Sequence, residues 1–457
     1  MSKPIGTIPS RADLISAIER PLPRRLTVAC VILALIGAVA FIVGAVTGND
    51  RVWRALHTNW LFFATVSQAA VTVVAVQRIT TARWSRSVVR FLEGYVAFLP
   101  VAFLLLVLIF LGKGHIFPWV HERPPAAEKV FYLNQPFLIT RDLLMFAIVT
   151  AVSVWYVYMS VRLDVAVVPE SGAAWARGLR ERMRRGFGDE RREIHTTHSR
   201  QGWLSVVICL CFALFGSVFA WDLSMSLNLH YQGTMYSWWW FMSAWVASLA
   251  SWGILMMAWR RFLAADALIT EDHFHDIGKL VFAFTAFWGY LTFAQYLVTW
   301  YGNVPEETHY FHLRLIGGWR PFTQAVVFLA FVIPFFGLLS KSAKVYLPTL
   351  FLFCASSVVG IWIQRYVEVY PAVFGERANA PFGVWEIAIT LGYIGLWGLS
   401  YIAFMQAFPR MRVMMITSPF RDQVQVPYDP ETMQTLPASE WGAAALESRG
   451  RVTDARG

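Results

Sequence analysis

The sequence is poor in charged residues. Only 15% of its 457 residues are Asp, Glu, Lys or Arg, whereas 57% are hydrophobic. An average soluble domain is about 25% charged, and a water-soluble fold cannot hide so much apolar surface. The short segments of alternating polarity that are typical of transmembrane β-barrels are also missing. The low charge and high hydrophobicity exclude a soluble enzyme, a nucleic-acid-binding protein and a secreted scaffold. The missing alternation excludes a transmembrane β-barrel.

Ligand sets for electron carriers are missing as well. The four cysteines lie in apolar stretches outside any CxxC or CxxCH motif, which leaves covalent haem and iron–sulfur clusters without ligands. The ten histidines fall in loops or at the ends of apolar stretches, whereas bis-histidine haem b needs ligands that face each other inside the membrane. We therefore expect this chain to bind no metal and no redox cofactor of its own. The cysteines are Cys30, Cys209, Cys211 and Cys354.

What the sequence does contain is long hydrophobic runs. Runs of about 20 apolar residues predict membrane-spanning helices, so we predict an all-α integral membrane protein with about ten transmembrane helices. An N-terminal segment, 1–25, precedes the membrane domain, 26–408, and a polar tail, 409–457, follows it. The predicted spans are 26–47, 58–77, 91–112, 138–162, 203–226, 235–259, 279–301, 321–340, 345–365 and 383–408.

Basic residues indicate the orientation of these spans. Lys and Arg are concentrated in alternate loops, above all in 163–202, which contains an Arg-rich stretch from Arg177 to Arg192. Because cytoplasmic loops carry an excess of Lys and Arg, we place both termini in the cytoplasm. The net charge of +10 then reports orientation and not a nucleic-acid partner.

Ionisable side chains inside spans are costly and therefore mark functional candidates. On the cytoplasmic side, Glu93 lies at the start of the third span. His275, Asp276 and Lys279 lie at the start of the seventh. If this segment is helical, the three can cluster on one face and pass protons among themselves. The alternative is a salt-bridged turn at the interface; a metal site with His273 is weaker, because residues two apart point to different faces.

A second set of candidates lies near the outer ends of the spans, while the middle of the membrane is nearly free of charge. Asp222 ends the fifth span and could accept a proton from a bound hydroquinone. Alternatively, it is a helix-end carboxylate bonded to Ser224 or Ser226. The outer candidates are His57, Asp142, Asp222, Glu368 and Glu386.

One part of the chain resembles a known family. Residues 275–279 read HDIGK, residues 284–290 read FTAFWGY, residues 295–296 read QY, and residues 300–308 read WYGNVPEET. This pattern resembles the F-type subunit of bacterial alternative complex III, in the polysulfide-reductase membrane-anchor (NrfD-like) family. That complex is a respiratory quinol:cytochrome c, or high-potential acceptor, oxidoreductase of the bacterial inner membrane. The resemblance covers essentially all ten spans and is densest over 270–310.

The resemblance implies an architecture and a set of partners. Family members pack two four-helix bundles, here about 58–226 and 235–365, with spans one and ten at the periphery. The implied partners are a homologous ten-helix C-type subunit, an iron–sulfur subunit and a multihaem cytochrome c subunit, with a terminal oxidase as a further candidate. Haem c and the iron–sulfur clusters belong to those partners. Asp276 and Lys279 match the acid and base of the family motif, and Asp222 matches an acid placed before a Ser-Leu stretch.

Three functions remain open. The preferred hypothesis is a cofactor-free membrane subunit that scaffolds the quinol-oxidising complex and provides proton half-channels. The second is that this chain itself binds quinol at an outer site formed by His57, Asp142 and Asp222. The third is an independent secondary transporter, which is disfavoured because the middle of the membrane lacks charged groups to bind an ion. In the first hypothesis, Glu93, His275, Asp276 and Lys279 line the inner half-channel, and Asp142, Asp222, Glu368 and Glu386 line the outer one.

Overall fold

The computed structural model describes residues 14–15, 18–122, 127–377 and 379–418. Most of the predicted N-terminal segment and residues 419–457 of the predicted tail lie outside the described residues. Within the described part, ten helices are long and apolar enough to cross a membrane, and no residue is in a strand. The predicted all-α membrane fold is confirmed. The helices are α1 (Arg24–Val46), α2 (Asp50–Ile79), α3 (Val89–Leu111), α4 (Gln135–Val167), α5 (Glu190–Leu227), α6 (Tyr236–Leu263), α7 (Glu271–Gly302), α8 (Gly317–Gly337), α9 (Leu347–Phe374) and α10 (Val384–Ala407).

Local sequence explains where helices start and where they are irregular. α1 and α2 are joined by a tight turn in which Gly48 adopts a φ of 71°. The Asn49 side chain then caps α2 by accepting a hydrogen bond from the Arg51 backbone N–H at 3.0 Å. In α8, a π-helical stretch, Val327–Val332, lies just before Pro334. A proline removes a backbone donor from the helix, and such irregular turns absorb the loss.

Several helices are longer than their apolar runs. α5 begins at Glu190 and not at 203, α7 begins at Glu271 and not at 279, and α9 ends at Phe374 and not at 365. The polar turns stay helical because caps stabilise them: Asp189 accepts a hydrogen bond from the Arg192 backbone at 3.1 Å, and Thr270 caps α7. The candidate segment 272–279 is therefore helical, and the predicted bundle boundary at 365 falls inside α9.

The helices form two groups of four. Helices α2 to α5 contact one another in a ring, and helices α6 to α9 do the same. α2 additionally contacts α1, α6, α9 and α10, and 89% of its most apolar segment is buried. α2 is therefore the helix on which both groups converge.

α1 and α10 pack against each other beside the first group. A Cβ atom added to Gly37 of α1 would lie only 2.3 Å from the Gly392 Cα of α10. Small residues at such contacts let two helices approach closely in lipid. The pair contacts α2 and the adjacent 3₁₀ stretch of α3, Gly94–Phe98. The outer surface of α1 is left open, with only 11% of its apolar segment buried.

The two ends of the molecule differ in charge. We call the end at which α1 begins and α10 ends the basic end, and the other the opposite end. Arg78, Arg410 and Arg412 lie at the basic end. Trp300 and Tyr301 lie at the opposite end with 61% and 78% of their surface exposed, as amphipathic rings do at a membrane interface.

Candidate functional site

One face of α4 carries buried polar residues at both ends. Asp142 is 0% exposed and Asp164 is 1% exposed. They are separated along the helix axis by about 33 Å at about 1.5 Å per residue, close to the roughly 30 Å of a bilayer core. Positions three or four residues apart share one helix face. The buried positions on this face are Asp142, Phe146, Val149, Ser153, Tyr156, Ser160 and Asp164.

At the basic end, buried charges form one network. Arg90 Nη1 of α3 lies 2.7 Å from Glu93 Oε2, and the same guanidinium pairs with Asp164. Arg412, which follows α10, pairs with the other carboxylate oxygen of Glu93. The backbone N–H of Met414 donates to Asp164 Oδ1 at 2.8 Å. Two cations therefore balance two anions, and the network as a whole is neutral.

Water-sized space borders this network. A cavity of about 60 Å³ is lined by Ser160, Asp164 and Arg412, and by Gln77 and His198 from α2 and α5. A single water needs about 10–15 Å³ of such volume, so several waters fit. Burial lowers the pKa of Arg412, but the charge of Glu93 and its hydrogen bond raise it on balance. The guanidinium therefore stays charged beside the cavity.

Hydroxyl and amide groups continue from this cavity towards the middle of α4. Ser205 Oγ donates to the Tyr156 hydroxyl at 3.2 Å, and Gln201 Nε2 donates to the Tyr156 carbonyl at 3.1 Å. Deeper in the helix group, Ser153 Oγ donates to Gln68 Oε1 at 3.2 Å. Because hydroxyl groups both donate and accept hydrogen bonds, this series can relay protons together with intervening water.

The polar face of α4 is interrupted between Ser153 and Asp142. Phe146 occupies this layer, with ring centroids 5.3 Å from Trp60 and 6.0 Å from Phe219. A small cavity of about 30 Å³ in the same layer is lined mainly by aromatic and aliphatic side chains. An apolar layer therefore separates the two polar ends of the first helix group.

At the opposite end, two buried carboxyls share one cation. Arg141 Nη2 lies 2.6 Å from Asp222 Oδ2, and Asp142 lies beside Asp222. The two carboxyls contact each other, and Tyr132 contacts Asp222, but no N–H or hydroxyl group of a described residue donates to either oxygen of Asp142. Buried polar atoms without partners are rare in folded proteins and each requires an explanation. Since two carboxyls face one guanidinium, a single added proton would neutralise this group.

Tyr132 and His57 extend the same cluster. The Tyr132 ring lies 4.2 Å from the Arg141 guanidinium, and burial, followed by the charge of Asp222, raises the pKa of its hydroxyl. Tyr132 thus remains a protonated donor. Both ring nitrogens of His57 are buried, and the Leu223 backbone is the hydrogen-bonding group beside the ring. The structure therefore brings Asp142 and Asp222 together and places His57 beside Leu223, the residue that follows Asp222.

Two of the predictions for this end need correction. His57 does not lie at the edge of a span: it is inside α2 and fully buried, because α2 already begins at Asp50. The carboxylate of Asp222 is not held by a serine. Ser226 Oγ donates to the Asp222 backbone carbonyl at 2.5 Å, and Ser224 Oγ donates instead to Glu368 Oε2 at 3.0 Å.

Glu368 is buried in α9 with all its hydrogen-bonding capacity engaged. Arg365 Nη1 lies 2.9 Å from Oε1 of Glu368, and Gln364 Nε2 donates to the same oxygen at 2.8 Å. Trp240 Nε1 and Ser224 Oγ each donate to Oε2 at 3.0 Å. Each carboxylate oxygen therefore has at least two partners, which is the pattern of a structural ion pair.

Glu386 is similarly satisfied and lies at the start of α10. Its carboxylate pairs with Arg51, with Nη2 to Oε2 at 2.6 Å, and accepts a hydrogen bond from the Tyr370 hydroxyl at 2.9 Å. The Gly383 N–H donates to Oε2 at 2.9 Å, so Glu386 also caps its own helix. Neither Glu368 nor Glu386 belongs to the cluster of Asp142 and Asp222.

The segment that opens α7 is at the surface. Asp276 Oδ1 and Lys279 Nζ form the predicted pair at 2.7 Å, but their side chains are 26% and 53% exposed. His275 is half-buried, whereas the neighbouring His273 caps the helix by accepting from the Thr270 N–H at 3.1 Å. The predicted inner group of Glu93 with Asp276 and Lys279 is therefore not brought together: Glu93 pairs with Arg90 and Arg412 instead.

Asp164 is the main residue that is not among the sequence-based candidates. It lies beyond the apolar run of its span, and its partners Arg90 and Met414 are distant in sequence. A signal does exist in the sequence: Asp142, Ser153 and Asp164 fall on one helical stripe. In the sequence, Arg90 and Arg412 are only part of the excess of basic residues that indicates the orientation of the spans. Their pairing with acids on other helices is not visible there.

Comparison with known proteins adds no relative. No protein-family model matches the chain, and no curated protein matches it. Within the part of the chain that the structure describes, no group of three or more His, Cys, Asp or Glu side chains could hold a metal ion. The fold defines an all-α, multi-pass membrane protein whose first helix group carries buried charges at both ends.

Proposed function

We propose that this protein is a membrane subunit of a respiratory quinol:cytochrome c, or high-potential acceptor, oxidoreductase, and that it moves protons through α2 to α5. In this proposal the basic end faces the bacterial cytoplasm, and quinol oxidation in a partner subunit drives the transfer. The partners are a C-type ten-helix subunit, an iron–sulfur subunit and a multihaem cytochrome c, which carry the clusters and haem c; a terminal oxidase can attach further. This chain scaffolds the assembly without a redox cofactor.

The observation that carries the proposal is the buried face of α4. Acids lie at both of its ends, hydroxyls continue inward from the basic end, and Phe146 lies in the apolar layer between. Such a barrier prevents passive leakage, so transfer needs a second state in which water or a side chain bridges it. A partner can drive that change only if it stabilises the two states differently. The inner half-channel then consists of Glu93 and Asp164 instead of Asp276 and Lys279.

The test uses the complex purified through a tag on this chain and reconstituted into vesicles. Bands for a multihaem cytochrome c and an iron–sulfur protein are expected to co-purify. In Asp164→Asn, quinol oxidation should persist while proton translocation per electron is lost, because the amide cannot accept and release a proton. Asp276→Asn is the matched control, since Asp276 belongs to an exposed pair. An unchanged proton-to-electron ratio in Asp164→Asn would contradict the proposal.

A second function, a quinol site in this chain, is favoured by the unpaired atoms at the opposite end. Quinol oxidation needs hydrogen-bonding bases at its oxygens beside an apolar slot. His57, Asp142 and Asp222 supply the bases, and the small cavity lined by Trp60 and Phe146 lies one to two helical turns deeper.

Binding of decylubiquinone to the full-length chain in nanodiscs tests this second function. Each bond to a charged partner contributes about 1.5–3 kcal/mol, so Asp142→Asn should weaken binding by at least about tenfold. Glu386→Gln serves as a control, since Glu386 lies outside this cluster. Equal affinities for the chain and the Asp142→Asn variant would eliminate a site at this position.

A further inference from the structure

A groove lies at the basic end on the outer side of the first helix group. It has a volume of about 630 Å³ and is formed by the end of α4 and the start of α5. Trp155, Tyr158 and Arg162 line it from α4, and Arg192 and Arg200 line it from α5. None of these residues belongs to the buried face of α4 described above.

The two walls of the groove are helical stripes. Trp155, Tyr158 and Arg162 are spaced by three and four residues, and Arg192, Thr196 and Arg200 by four. Such spacing places each set on one side of its helix. α4 and α5 are antiparallel neighbours: Arg162 pairs with Glu193 near the basic end, and Gln201 donates to the Tyr156 carbonyl further into the membrane. Arg192 therefore lies near the level of Arg162, and Arg200 begins at the level of Trp155 and Tyr158, about 12 Å further along α5.

Arginines in the groove differ in what they bind. Arg162 is held by Glu193, with Nη1 to Oε2 at 2.7 Å, and its Nε donates to the Met183 carbonyl at 3.1 Å. Arg192 and Arg200 are exposed, and neither forms an ion pair with an acid among the described residues. The remaining acid, Asp189, caps α5 through the Arg192 backbone. Arg200 acts on Glu193 only through its charge, without an ion pair, so both guanidinium groups keep donors available to bind an anion.

Apolar surface continues from these arginines towards the hydrocarbon. Trp155 lies about 10 Å along the axis from Arg162, and Trp155 and Tyr158 are 53% and 41% exposed. Beside Arg200, Trp203 is 72% exposed. A phosphate ion from solution would contact only the arginines. A phospholipid would use the whole groove, because it carries a phosphate and acyl chains at this spacing.

We propose that this groove binds an anionic phospholipid from the leaflet at the basic end. The phosphate lies between Arg192 and Arg200, with Arg162 held alongside by Glu193, and the acyl chains run along Trp155 and Tyr158. Guanidinium groups bind phosphate through paired hydrogen bonds, and basic pockets between spanning helices are suited to anionic headgroups. The site is independent of the function proposed above.

The test measures lipid binding to the delipidated full-length chain by native mass spectrometry. Dioctanoyl phosphatidylglycerol, dioctanoyl phosphatidylcholine and inorganic phosphate are the three probes. Each basic residue near the membrane surface changes the affinity for an anionic lipid about fivefold. The double variant Arg192→Gln with Arg200→Gln should therefore weaken phosphatidylglycerol binding about 30-fold. Arg191→Gln with Arg261→Gln removes the same charge from the basic end outside the groove and should leave binding unchanged.

Three results would overturn the proposal. The first is equal binding of phosphatidylglycerol and phosphatidylcholine by the unaltered chain. The second is an equal loss in the two double variants, which would indicate only the general charge of this end. The third is displacement of the lipid by equimolar inorganic phosphate, which would indicate a site for a free anion. Should the groove variant not fold, Arg200→Gln alone is expected to weaken binding about fivefold.

Discussion

At the opposite end of the molecule, the two groups of helices differ in how they hold buried carboxylates. In α6 to α9, Glu368 has at least two partners on each oxygen, including Arg365 at 2.9 Å. In α2 to α5, Asp142 contacts Asp222, but neither of its oxygens accepts a hydrogen bond from an N–H or hydroxyl group of the described residues. Both sites are near the same end of the molecule and both are buried. Depth and charge alone therefore do not separate a structural acid from a functional one.

The difference lies in hydrogen bonding. An acid such as Glu368, whose oxygens are all bonded, stabilises one arrangement of helices, and protonating it would break those bonds. Asp164 is also bonded at both oxygens, but it differs from Glu368 because it lines a cavity large enough for water. An acid without partners costs free energy in the resting fold, so it requires another explanation, such as an exchangeable proton or a ligand. The two helix groups also differ at the basic end. The first group buries Glu93 and Asp164, whereas in the second the pair of Asp276 and Lys279 is at the surface.

The largest effect on stability is expected from Arg365→Met in the second group. The change leaves Glu368 buried without its cation, and breaking a buried ion pair in this way costs about 3–5 kcal/mol. Thermal and denaturant unfolding in detergent would measure the loss. Lys279→Met breaks a pair whose lysine is 53% exposed, and exposed pairs contribute only about 0.2–1 kcal/mol. If the two variants lost equal stability, the distinction between the groups would fail.

The sequence was sufficient to predict the all-α fold and the number of spans, because each span contains a run of apolar residues near the length of a bilayer core. It also singled out His57, Asp142 and Asp222, because ionisable residues stand out in apolar runs. Hydropathy does not determine how a helix is rotated or which neighbours it meets. For that reason the sequence does not single out Asp164, and it groups Asp276 with Glu93 although their partners differ.

The rotation of each helix also explains why the sequence alone does not separate structural from functional acids at the opposite end. Glu368 and Asp222 are both acids near span ends, and both have an arginine partner. Only contacts across helices separate them, since Ser224 of α5 and Trp240 of α6 both donate to Glu368. The sequence offers Ser224 as one of two candidate partners for Asp222, but the Ser224 hydroxyl donates to Glu368 in the other helix group.

An intermediate effect is expected from Ser224→Ala, which removes one donor from Glu368 and also the hydrogen bond between the Ser224 and Tyr236 hydroxyls at 2.6 Å. Hydrogen bonds to charged groups contribute about 1.5–3 kcal/mol, and the remaining partners of Oε2, including Trp240, stay in place. Unfolding in detergent should show a loss in this range. Ser217→Ala is a suitable control, because Ser217 Oγ donates only to the Ala213 carbonyl of its own helix at 2.7 Å. Equal stability of Ser224→Ala and the control would mean that Glu368 does not depend on its donors.

The smallest effect is expected from Asp142→Asn in the first group. Asn has nearly the same shape as Asp, and the substitution removes a buried carboxyl that faces the like-charged Asp222 and accepts no hydrogen bond from an N–H or hydroxyl group of the described residues. Replacing buried, poorly compensated charge is often neutral or stabilising, so the free energy of unfolding should change by less than about 1 kcal/mol or should rise. Asp222→Asn provides the comparison, since it weakens the pair with Arg141 at 2.6 Å and should destabilise more. A loss in Asp142→Asn as large as that in Arg365→Met would show that Asp142 is as firmly bonded as Glu368, and the first group would then hold structural acids only.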